Sequence, residues 1–234
     1  NMECRDAKEE TPLGCAASRG HEEIVQCLVQ HRAELNRPGR NDQTPLLAAV
    51  FHGHCQVVHS LLEARAEHHR RDWFGRSPLL LASSTGDVEM VSSLLASRAN
   101  VNQDDRTGST PLTAAAALGR LEILQHLLHA RADPNHSDQR GQSALILAAS
   151  FGQREVVKRL LEARASSNVA NSSSALHVAA EGGHLEVLRS LLDSRADRCA
   201  TDGEGQTPLM LASREEHQDV MRALVEEEGP SPKR

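Results

Sequence analysis

Aromatic side chains are nearly missing from this 234-residue sequence: one Trp, three Phe and no Tyr, 2% of the chain. A core of ordinary thickness uses many more rings. The apolar interior must therefore come from Leu, Val, Ile and Ala packed in thin layers. Lysine is almost as scarce. Of 26 basic residues only Lys8, Lys158 and Lys233 are not Arg, and none follows a Gly-rich loop, which excludes a P-loop. GxSxG, HExxH, EF-hand and dinucleotide-binding signatures are also missing. The chain reads as a non-enzyme with no cofactor. No apolar run approaches the ~18–20 residues that a membrane helix needs, so no membrane insertion is expected. The five Cys, at positions 4, 15, 27, 55 and 199, include no closely spaced pair. An odd, scattered set argues against a disulfide framework and points to a reducing intracellular compartment such as cytoplasm, nucleus or organelle stroma. The net charge of −6 lacks the basic excess of a nucleic-acid binder, so no nucleic acid is expected among the partners.

What the sequence has in quantity is repetition. Thr11-Pro12-Leu13 returns as Thr44-Pro45-Leu46, Ser77-Pro78-Leu79, Thr110-Pro111-Leu112, Ser143-Ala144-Leu145, Ser174-Ala175-Leu176 and Thr207-Pro208-Leu209, at spacings of 33, 33, 33, 33, 31 and 33. Arg-Ala keeps the same step, starting at 32, 65, 98, 131, 164 and 195. Two markers in phase over the whole chain define stacked units.

Each unit reads physically. The Thr or Ser hydroxyl can accept an orphan amide at a helix start, and Pro suits the first helical position. A short helix follows, for example from Pro111 to Leu118, with Ala114, Ala115 and Ala116 allowing close approach. Gly119 ends it. A second helix runs from about Leu121 to Ala130 with Ile123, Leu124, Leu127 and Leu128 at helical spacing. A polar stretch, Asp133 to Gln142, closes the unit with Asp138…Gly141 as a turn or hairpin finger. One unit cannot bury its apolar face alone; stacking makes a continuous ribbon. Leu127 and Leu128 are both expected between layers.

The segments GSTPLTAAAALGRLEILQHLLHARADPN and SSSALHVAAEGGHLEVLRSLLDSRAD closely resemble ankyrin repeats, and the resemblance covers essentially the whole chain. It implies an all-α ankyrin-repeat solenoid of helix-turn-helix units with short β-hairpin fingers. Residues 1–234 form a single array, with repeats starting near 6, 39, 72, 105, 138, 171 and 202. Residues 1–5 read as the tail of a preceding repeat, so the chain is expected to be a segment of a longer protein, and residues 226–234 read as a C-terminal cap and tail. The family's His after Thr-Pro-Leu survives only as His177; Gly14, Leu47, Leu80, Thr113, Ile146 and Met210 replace it, which implies apolar packing there. The sixth unit has lost two residues before Ser174, so its finger, 168–173, should be short. The seventh has Glu216 where the others have a mid-unit Gly.

Candidate sites are few. Histidines at 52 and 54, 68 and 69, and 126 and 129 lack convergent ligands, so no metal site is expected and His is read as solvated or locally bonded. Cys4, Cys15, Cys27 and Cys55 read as small apolar fillers. The arginines at 32, 65, 98, 131, 164 and 195 stand where the family usually has Gly. They are read either as a cationic row for an acidic partner or, preferentially, as a duplicated founder residue capping helix ends and pairing with Glu67 or Asp133.

The resemblance implies that fingers and first helices line a concave side. Finger-tip residues Arg40, Trp73, Arg106 and Gln139 then form a row, flanked by Arg71, Phe74, Arg76, Thr107 and Arg140, with Phe51, His52, Leu118 and Phe151 on the first helices. Trp and Arg are the types most enriched at interface hot spots. The alternative for Trp73 is packing over a neighbouring finger. The sequence thus reads as a non-catalytic protein–protein interaction module whose partner presents an acidic surface to units two to four. The competing readings are a structural subunit of a larger multi-protein complex, and the ankyrin segment of a longer enzyme or channel.

Overall fold

The recurring Thr/Ser-Pro/Ala-Leu marks become helix starts. The computed structural model describes residues 9–167 and 174–226, which form fourteen α-helices and no strand. In chain order the pairs are α1 (Pro12–Ser18) and α2 (Glu22–Gln30), α3 (Pro45–Phe51) and α4 (Cys55–Glu63), α5 (Pro78–Thr85) and α6 (Val88–Ala96), and α7 (Pro111–Ala117) and α8 (Leu121–His129). They continue as α9 (Ala144–Ser150) and α10 (Arg154–Glu162), α11 (Ala175–Glu181) and α12 (Leu185–Asp193), and α13 (Pro208–Arg214) and α14 (Gln218–Glu226). The tail expected at 1–5, the short finger expected at 168–173 and the C-terminal cap beyond residue 226 lie outside the described residues.

Local chemistry sets the helix ends. The hydroxyls of Thr11, Thr44, Ser77, Ser143 and Thr207 accept the amides of Gly14, Leu47, Leu80, Ile146 and Met210 at 3.0–3.4 Å. Each such cap stabilises by about 1 kcal/mol. Second helices end in a common motif. The amide of Arg98 donates to the Leu95 carbonyl and that of Ala99 to Leu94, at 2.9 and 3.1 Å. This pattern places the residue between helix and loop in the left-handed region. Arg32, Arg65, Arg98, Arg131, Arg164 and Arg195 accordingly have φ between 61° and 65°, each at a cost of roughly 1 kcal/mol relative to Gly. First helices end the same way, with Gly at 20, 53, 119, 152 and 183 and with Glu216 (φ 59°) in the seventh repeat.

The chain divides into two units. One comprises the residues up to Ala115 together with Glu122–Ala132, the other Ala116–Leu121 together with the residues from Asp133 onward. In the first unit α1, α3 and α5 lie side by side as one layer, α2, α4 and α6 as a second, and each first helix packs on its own second helix. Leu46, Leu61, Leu79, Met90 and Leu94 fill the space between layers and are fully buried, as is Leu127 of α8. Ala17, Ala49 and Ala82, all buried, let the first helices approach closely. In the second unit α9, α11 and α13 form one layer and α10, α12 and α14 the other, around Leu145, Val157, Leu160, Leu176, Leu188 and Leu191. Leu128 is only half-buried, contrary to expectation; one residue along α8 from Leu127, it turns about 100° away from the interlayer direction.

Gly14 is half-buried, and the other five positions that lost the family's His behave in three ways. Leu47, Leu80 and Ile146 are buried and apolar, as expected. Thr113 instead keeps polar bonding: it is buried and its Oγ1 accepts the Thr110 amide at 2.8 Å. Met210 is 58% exposed. His177 itself is buried, its Nδ1 accepting from Ser174 and its Nε2–H donating to the carbonyls of Ala200 and Gln206.

The fingers are turns rather than strand ladders; among the described residues the one bridge is Ser137 with Ser143. Aspartate side chains take the amides that a ladder would pair. Oδ1 of Asp72 accepts from Phe74 and Arg76, that of Asp105 from Thr107 and Ser109, that of Asp138 from Arg140 and Gln142, and that of Asp202 from Glu204 and Gln206.

Candidate protein-interaction site

The candidate site lies on the fingers of the first unit. Arg40 opens a single 3-10 turn, Arg40–Asp42, in which Asn41 and Asp42 both have positive φ. The carbonyl of Asn41 accepts the Trp73 amide at 2.9 Å, and the carbonyl of Phe74 accepts the Arg106 amide at 3.2 Å. One backbone bond thus joins the Arg40 turn to the Asp72 finger, and another joins that finger to the Asp105 finger. Gly75 makes this approach possible: a Cβ there would lie 2.9 Å from the Arg106 amide nitrogen and Cγ.

Both rings of the second finger project outward. Trp73 is 55% and Phe74 57% exposed. Each carries a guanidinium on its face: Arg106 lies 4.9 Å from the Trp73 ring and Arg76 4.9 Å from that of Phe74. Arg76 also reaches toward Phe51, at 6.0 Å, which joins the first-helix surface to the finger. His52 is exposed and meets Phe51 edge-on at 5.1 Å. Trp73, Phe74, Arg76, Asp105, Arg106 and Thr107 line an open cleft of about 290 Å³.

The arginines differ in how far their charge is committed. Asp72, 9% exposed, binds Arg76 at both Nε and Nη2, at 2.7 and 2.6 Å, so Arg76 is an oriented stacking surface with its charge met. Arg71 faces Asp104 at 3.8 Å. Arg40 and Arg106 are exposed. Leu118 and Phe151 belong to the second unit, are 50% and 59% exposed, and occupy equivalent positions of successive repeats. Gln139 and Arg140 are exposed in that unit's Asp138 finger. Asp72 and Gly75 escaped the sequence reading, although an Asp followed three residues later by Gly recurs at 72, 105, 138 and 202 and marked their role.

Other candidates take different places. Cys15 and Cys55 are half-buried and are not apolar fillers: their thiols donate to Glu10 Oε2 at 3.2 Å and Asp87 Oδ2 at 2.8 Å. Burial first, and the Asp87 carboxylate second, push the Cys55 thiol up to about 11. Cys27 is exposed at the surface of α2, and Cys4 lies outside the described residues. Several His bonds are inter-repeat rather than local. Nε2–H of His54, His184 and His217 donates to the carbonyls of Ser18, Ser150 and Glu181 at 2.9–3.1 Å, each in the preceding repeat. Among the described residues no group of three His, Cys, Asp or Glu side chains converges as metal ligands, and no helix is long and apolar enough to cross a membrane.

The guanidinium groups of the six left-handed arginines are exposed and make no hydrogen bond or ion pair among the described residues. The pairing expected with Glu67 and Asp133 does not form. Glu67 binds Arg70 at 2.6 Å, which holds its carboxyl below the usual range, and Asp133 Oδ1 accepts from the Asn135 amide.

Helix pairs at a 33-residue step, capped by Thr/Ser-Pro and joined by turn-like fingers, define a helical repeat array. Ankyrin-repeat family models of three repeats match residues 1–72, 64–138, 80–171, 116–202 and 145–234, and the chain belongs to that family. The ankyrin repeat domain of human ASB11 superposes with a TM-score of 0.83 at 27% identity, covering 95% of this chain and all of that one. That of Bcl-3, described as a unique member of the IkappaB protein family, gives a TM-score of 0.80 at 31% identity over 91% of this chain and 98% of its own. No curated protein sequence matches. The ankyrin-repeat fold is known as a non-catalytic scaffold, and ankyrin-repeat domains generally mediate protein–protein interaction.

Proposed function

We propose that the chain binds a protein partner through the finger and first-helix surface of the first unit, centred on Trp73 and Phe74. The carrying observation is the pair of half-exposed rings, each backed by a stacked guanidinium. Rings held in place by such stacking lose little freedom on binding, which favours affinity. Arg40, Arg71 and Arg106 around them favour an acidic partner surface and steer its approach, while Phe51 and His52 extend the contact onto α3. Leu118 and Phe151 are a second exposed apolar pair available to the same partner or to another member of a larger complex.

The test compares wild-type protein with Trp73→Ala as bait, using partners captured by cross-linking. Trp73→Ala should weaken capture by at least ~2 kcal/mol, about 30-fold, as at an interface hot spot. Its stability should fall by no more than ~1 kcal/mol, the worth of one exposed cation–π stack. Unchanged capture with a large stability loss would make Trp73 a packing residue between fingers and refute the assignment.

A further inference from the structure

At the ends of the second helices the chain places Arg where backbone geometry alone asks for Gly. The first helices end in the same left-handed conformation and use Gly in most repeats, whereas the six second-helix ends at that conformation among the described residues all carry Arg. The weak attraction of an exposed cation for a helix C-terminus, screened by salt, is the one intrachain reward among the described residues. The six side chains are exposed and make no hydrogen bond or ion pair among the described residues. Other arginines are engaged: Arg70 with Glu67, Arg76 with Asp72, Arg159 with Glu162 and Arg214 with Glu181. Backbone strain repeated without a side-chain bond among the described residues to offset it points to a ligand outside the chain.

The packing sets the spacing of that ligand. Because α2, α4 and α6 lie side by side, Arg32, Arg65 and Arg98 follow one another at the separation of packed helices, about 8–10 Å. A peptide extended as a polyproline II helix advances ~3.1 Å per residue with three residues per turn, so every third side chain lies on one face and about 9 Å apart, one step of the row. Nucleic acid is a poor occupant for a chain of net charge −6, whereas carboxylates on an extended peptide meet guanidinium groups at that interval.

We propose that Arg32, Arg65 and Arg98 form a docking rail for an extended acidic segment of a protein partner, with a carboxylate at every third residue. The rail uses none of the residues of the Trp73 surface and stands independently of it.

The test is fluorescence anisotropy of the full chain with two labelled peptides of equal composition, (Ser-Ser-Glu)4 and one with its four Glu contiguous, plus a labelled DNA duplex. The spaced peptide should bind more tightly than the contiguous one, and its binding should weaken as ionic strength rises to about 0.3 M. Replacing all three by Gly should reduce that binding by about tenfold, the sum of three exposed ion pairs, and should leave the melting temperature equal or higher. Replacing all three by Lys should retain most of the binding. The proposal is overturned if the spaced peptide fails to bind, if the contiguous peptide or the duplex binds as well, or if the Gly variant binds like wild type. A lower melting temperature for the Gly variant would also overturn it, by showing that the arginines serve the fold.

Discussion

Replacing Arg98 by Gly should stabilise the protein. Arg98 has φ 62° and a solvent-exposed side chain with no partner among the described residues, and its backbone amide bonds Leu95. Gly retains that amide bond. An L-residue in the left-handed region costs about 1–2 kcal/mol. Gly gives back roughly 0.5–1 kcal/mol through the extra freedom of its unfolded chain. The net gain is about 0.5–1 kcal/mol, or a rise of ~1–4 °C in melting temperature for a chain of this size. One opposing effect has to be separated. A cation at a helix C-terminus is worth about 0.3–1 kcal/mol at low salt and is screened at high salt. The gain should therefore be small in dilute buffer and full at about 0.5 M salt. Arg98→Ala, which loses the charge and keeps the strained backbone, should lack that gain at high salt. Hydrogen exchange of the α6 amides reads the local opening free energy directly. Slower exchange in the Gly variant at high salt is expected. Faster exchange under those conditions would mean that the guanidinium supports the fold, and the reasoning from strain would fail.

Two further predictions follow from burial and protonation. Leu127→Ala should destabilise by about 2–5 kcal/mol, as truncation of a fully buried core Leu does, and Leu128→Ala clearly less; equal shifts in urea midpoint would contradict the assignment of Leu127 alone to the interlayer space. Cys55, with its thiol raised from 9.0 to about 11, should have roughly one-hundredth of an ordinary thiolate fraction at pH 8. Iodoacetamide should therefore modify exposed Cys27 and Cys199 well before Cys55, and Asp87→Asn should speed Cys55; mass spectrometry reads the order. The same shift makes the stabilising effect of Cys55 complete below about pH 9 and lost as pH rises toward 11.

The sequence by itself determined the repeat, its helix starts and its helix ends. These are local: a hydroxyl caps an amide three residues away, and a left-handed residue follows from bonds reaching back three and five residues. A 33-residue period therefore carries them into every unit. The same locality made the aliphatic core legible, since Leu127 and its equivalents recur in phase, and the four aromatic residues, all exposed, were correctly kept out of it. Tertiary structure alone decided which side chains meet. The contacts between Trp73 and Arg106, Cys55 and Asp87, and His54 and Ser18 join residues 32–36 positions apart; they depend on how one repeat stacks on the next. Asp72 capturing Arg76 depends on the turn that folds four residues into a ring of bonds, which makes a residue read only as a flank of the finger-tip row an oriented surface for Phe74. The arginine row shows both halves at once: its left-handed backbone followed from the motif, but only the packed structure leaves its guanidinium groups without a partner.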